Sequence, residues 1–112
     1  MANTTFTNIA ASTTDGIILS AITGNRIRVL GIIPVCGGTA TTLVFNSKGS
    51  GAGTAITATF ALAANGGFVL PTSGDTMNEV PWFQTNLGEA LTATTGTGST
   101  IGIHVVYDIF GI

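Results

Sequence analysis

Ile101-Gly102-Ile103-His104-Val105-Val106-Tyr107-Asp108-Ile109-Phe110 reads at a period of two. Side chains alternate across a strand, so Ile101, Ile103, Val105, Tyr107 and Ile109 share one face. Gly102, His104, Val106, Asp108 and Phe110 share the other. Ile56, Ala58, Phe60 and Leu62 repeat the pattern earlier, alternating with Thr57, Thr59, Ala61 and Ala63. This is the signature of strands with one side on a core.

Glycine and threonine dominate the rest of the chain, and Leu-Glu-Lys-rich windows that build helices are absent. Short breakers separate the apolar segments. Gly24-Asn25 predicts a tight hairpin turn between residues 16–22 and 26–35, and Gly37-Gly38 predicts another before residues 40–47. Residues 48–54 read as an exposed loop, Asn65-Gly66-Gly67 turns into residues 68–71, and Gly96-Thr97-Gly98-Ser99 precedes the last strand. About eight strands at this spacing predict an all-β, single-domain antiparallel sandwich of jelly-roll type over residues 15–112. Residues 1–14 are small and polar except for Phe6 and Ile9. They form either a first strand or an arm that docks those two side chains on a neighbour.

The 112 residues suffice for one core, which by size alone buries roughly 65% of the unfolded surface. Only 7% of residues are charged and 45% are hydrophobic, with a formal net charge of −2. No basic field exists to attract nucleic acid or an anionic membrane. A surface so poor in charge suits a subunit covered by neighbours. Cys36 is the single cysteine, which leaves no partner for an intrachain disulfide and predicts a buried thiol. Met1-Ala2-Asn3-Thr4-Thr5 lacks the basic start of a signal peptide, and no apolar run reaches the ~20 residues of a membrane span. These features predict a protein made and kept in a cytoplasm.

Catalytic chemistry finds no foothold. His104 is the only histidine, and Asp108, four residues along the same strand face, stands about 13 Å away. One histidine and one cysteine cannot build a zinc cage, and Asp75-Thr76-Met77-Asn78-Glu79 lacks the spacing of a calcium loop. Gly49-Ser50-Gly51-Ala52-Gly53 is not followed by the Lys-Ser/Thr of a phosphate loop. The sequence therefore predicts no enzyme, no cofactor and no metal.

Contact surfaces are the better candidates. Arg26 and Arg28 share a strand face with Leu30 and Ile32, which reads as the rim and centre of a subunit contact, although a solvated edge would look alike. His104, Val106 and Phe110 supply the outer face of the last strand. Trp82-Phe83 reads as core beneath the loop at residues 71–80, whereas an exposed Trp82 would point to a sugar platform.

The runs GIILSAITGNRIRVL (residues 16–30), LAANGGFVLP (62–71) and WFQTNLGEAL (82–91) resemble small β-sandwich virion proteins of tailed bacteriophages, the head decoration or cement family. Arg26, Arg28 and residues 82–91 match that pattern, and residues 1–14 do not. The resemblance implies a homotrimer on the outer surface of the virion, partnered by the major capsid protein and stabilising contacts between capsomers. The competing expectation is a receptor- or glycan-binding module of a phage fibre or tail.

Overall fold

The computed structural model describes residues 3–72 and 80–111. Nine strands run in the order β1 (Asn3–Ile9), β2 (Gly16–Leu19), β3 (Asn25–Cys36), β4 (Thr41–Lys48), β5 (Thr54–Ala55), β6 (Phe60–Leu62), β7 (Phe83–Gln84), β8 (Ala90–Thr95) and β9 (Ile101–Gly111). One sheet, here sheet A, has the order β1-β9-β3-β7. The other, sheet B, has β2-β8-β4-β5, with β6 also on β4. All named pairings are antiparallel.

The chain thus alternates between sheets at nearly every connection, which is the winding of a jelly roll. Of the strand expected over residues 56–62 only β6 pairs with β4, while β5, also on β4, begins at Thr54, the last residue of the expected loop, and residues 56–59 interrupt the two. The uninterrupted 56–62 alternation is corrected accordingly. The hairpins expected at Gly24-Asn25 and Gly37-Gly38 are also corrected. Gly24 does turn the chain, with φ +76° and a hydrogen bond from Asn25 N to Ile22 O of 3.1 Å, but β2 and β3 lie in different sheets. Turn chemistry reports a reversal, not which sheet receives the next strand.

The core lies between the sheets around Phe45, whose ring packs 5.0 Å from Phe83 and 6.4 Å from Phe60. Ile101, Ile103 and Val105 enter it from β9 as the alternation predicts, beside Ile27, Val29, Leu43 and Leu91. The lone thiol, Cys36, is buried and donates to Ala63 O at 2.8 Å.

Crossing between the sheets requires polar pins, because each corner strips backbone groups of ladder partners. At the β1–β2 corner, Thr95 Oγ1 donates to Ala10 O (2.6 Å) and accepts from Thr13 N (3.0 Å). Ser12 and Asp15 hold positive φ there. The Asp15 carboxylate then accepts from Asn46 Nδ2 (3.1 Å), Thr92 Oγ1 (3.1 Å) and Gly53 N (3.0 Å), tying the corner and the 49–53 loop onto the outside of sheet B. On the opposite side, Thr85, fully buried, exchanges two bonds with Ile27, from Thr85 N to Ile27 O (3.0 Å) and from Ile27 N to Thr85 Oγ1 (2.9 Å).

Two substitutions test this division of labour by denaturant unfolding. Phe45→Ala is expected to cost about 3–5 kcal/mol through the cavity it leaves. Asp15→Ala is expected to cost about 1–3 kcal/mol by orphaning its donors.

Candidate surface for a partner

The outer face of sheet A carries the residues singled out from the sequence, with one rearrangement. β3 pairs β9 as Arg26↔Phe110, Arg28↔Asp108 and Val29↔Tyr107, then skips to Gly31↔Val106. Leu30 is an inserted bulge residue. A one-residue bulge reverses the alternation beyond it. Ile27 and Val29 face the core before the bulge, and Ile32 faces it afterwards. Ile32 therefore turns into the core, which corrects its expected place on the face of Arg26 and Arg28, and Leu30 is buried as well, so neither is open to a neighbour. Ile33 and Val35, opposite His104 and Gly102, occupy the outer face instead, each about half exposed.

The lower half of this face is polar. Arg28 Nε lies 3.6 Å from Asp108 Oδ1, an ion pair longer than a hydrogen bond, and its guanidinium sits 5.4 Å from the centre of the Phe110 ring. Arg26 Nη1 donates to Thr85 O at 3.3 Å. Both arginines are thus held by their own subunit. The upper half is apolar and neutral. Phe6, 70% exposed, stacks on His104 with ring centres 5.5 Å apart. Beside them, Gly31, Ile33, Val69, Leu70, His104 and Val106 line a groove of about 280 Å³. Gly31 is required where residues 70–72 run beside β3, Leu70 bridging Ile32, since a Cβ there would come within 2.9 Å of Thr72 Cγ2 and 3.0 Å of Leu70 O.

Of the two alternatives for residues 1–14, the first strand is the one observed: Asn3–Ile9 is an edge strand paired with β9 along its whole length. Phe6 and Ile9 are three residues apart and so point to opposite faces, leaving Phe6 outside while Ile9 is buried in the core of its own subunit. Ile9 cannot anchor on a neighbour. Trp82, expected in the core, is 51% exposed, and only Phe83 turns inward. The indole Nε1 donates to Pro71 O at 3.1 Å. Trp82 N bonds to Val29 O at 2.8 Å, so Phe83, one residue on, points into the core. Residues 75–79, weighed as a calcium loop, lie outside the described residues. Among those described, no three His, Cys, Asp or Glu residues group to hold a metal ion.

No family model and no curated protein matches the chain. A solved structure from work entitled "Bacillus endospore appendages form a novel family of disulfide-linked pili" is similar at 17% identity over 94% of this chain and 86% of that chain, with a TM-score of 0.38. A likeness of that size transfers no function.

If Ile33 and Val35 serve contact rather than folding, their removal leaves the fold intact. The double variant Ile33→Ser/Val35→Ser is expected to unfold within about 0.5 kcal/mol of the parent per site. Its binding of an apolar dye should fall.

Proposed function

We propose that this protein is a bacteriophage virion structural protein, a capsid decoration or cement protein. It docks the outer face of sheet A on the outside of the shell, contacts the major capsid protein and stabilises the joints between capsomers. The observation that supports this reading best is the contrast between the two outer faces. The outside of sheet B is tied down by the Asp15 network and leaves Ile17 exposed on its edge strand, whereas sheet A leaves four large apolar side chains, Phe6, Ile33, Val35 and Phe110, open to water. The family resemblance supplies the virion context. Its action is recognition without catalysis.

Magnitudes decide how such a face can work. Burying a large apolar side chain fully is worth about 1.5–3 kcal/mol, and all of these but Phe6 are already about half covered. Several of them together gain only a few kcal/mol, comparable to the about 4–15 kcal/mol lost in immobilising a partner. One subunit would bind weakly. An oligomer facing a symmetric shell raises the effective concentration for each further contact, so weak sites suffice.

A second reading, a glycan- or receptor-binding module, is favoured by the half-exposed Trp82 indole. Quenching of Trp82 fluorescence by added sugars would support it.

Purified protein added to undecorated expanded shells should load them, raise their heat resistance and leave procapsids with different subunit spacing bare. With 7% charged residues, loading should be only mildly salt-sensitive. No uptake by expanded shells, measured by gel and image reconstruction, contradicts the assignment.

A further inference from the structure

Of the sheet edges, one stands out because it lacks the features that normally keep edges apart. On the far side of sheet A, β7 is two residues long and follows Pro81. On sheet B, β2 carries a register irregularity between Ile17 and Leu19, and β5 is again two residues. β1 is seven residues of Asn-Thr-Thr-Phe-Thr-Asn-Ile with no charge, no proline and unbroken register against β9. Among the described residues its other edge pairs with nothing.

We propose that the partner of this edge is β1 of a second copy, paired antiparallel about a twofold axis through Phe6. Phe6 is the middle residue of Asn3–Ile9, so this register alone matches all seven positions with their counterparts. Thr5 then opposes Thr7 of the partner subunit, and Thr4 opposes Asn8 of the partner subunit, pairs that can hydrogen-bond across strands. Phe6 opposes its own copy, covering the most exposed part of the ring that already stacks on His104. An isologous contact sets each residue near the axis against itself, so a charge there would repel. β1 has none. The product is one eight-stranded sheet whose outer face doubles the apolar surface. The contact is twofold and cannot close a ring of three, so it takes the place of the trimer implied by resemblance. It stands on the fold and not on the virion reading.

Native mass spectrometry and light scattering of the full chain at about 100 μM should show a dimer. Phe6→Lys and Phe6→Glu should each weaken it by at least about tenfold, and their equimolar mixture should restore it as a heterodimer. Leu87→Lys, exposed in the turn after β7 at the opposite edge of sheet A from β1, should leave the dimer unchanged. Hydrogen exchange gives a measurement free of variants: β1 amides of the parent should slow as concentration rises. A monomeric parent, a dimer or trimer indifferent to both Phe6 variants, or concentration-independent β1 exchange overturns the proposal. Shell binding is not read here, so either proposal can fail alone.

Discussion

The ladder between β3 and β9, with its single extra residue at Leu30, organises the molecule. β3 spans 12 residues, long enough that natural strand twist would carry one unbroken face away from a flat core. Inserting one residue adds local twist and resets the alternation. The first half of β3 buries Ile27 and Val29, and the second half buries Ile32 and Cys36. Without the bulge, keeping the pairing of the first half would bring Ile33 and Val35 inward and put Ile32 and Cys36 in water. The same insertion decides the outer face, where Arg26 and Arg28 meet Asp108 and Phe110 below it, and Ile33 meets His104 above it.

This constraint links packing to function through the difference between the two outer surfaces. Sheet B is finished by its own chain: Asn46 and Thr92 are buried polar groups, and the Asp15 carboxylate satisfies them from the corner above. Such a network keeps its polar groups paired within the subunit, and Ile17 is the large apolar side chain left exposed beside it. Sheet A keeps a neutral groove and exposed apolar side chains beyond the Arg28–Asp108 pair. A chain with so little charge cannot hold that surface in solution by electrostatic repulsion. A surface of that kind is stable when covered.

Much of the fold was legible in residues that obey period two. Ile101 to Ile109 placed β9 and its core face, and the turn residues located most strand ends. The strand assignment blurred where one local signal has two global outcomes. Gly24 and Gly37-Gly38 mark reversals equally well in a hairpin and in a crossover between sheets, since the choice depends on partners far along the chain. The β3 bulge has no reliable single-residue signature, and Leu30 and Ile32 were misplaced for that reason. At Trp82, size suggested burial, yet Trp82 N binds Val29 O and Phe83, the next residue, turns inward. The spacing of Phe6 and Ile9 already forbade a shared face in a strand, a signal that the arm reading left unused. Asp15 gave no warning because its three acceptor contacts come from residues 31 to 77 positions away.

On the proposed function, sheet A faces a partner and sheet B does not. Hydroxyl-radical footprinting of the protein bound to expanded shells, compared with the free protein, separates the two faces. Phe6, Ile33, Val35 and Phe110 should be protected on shell binding while Ile17, exposed on β2 of sheet B, keeps its reactivity. Protection of Ile17 with full labelling of the four sheet A residues would contradict it.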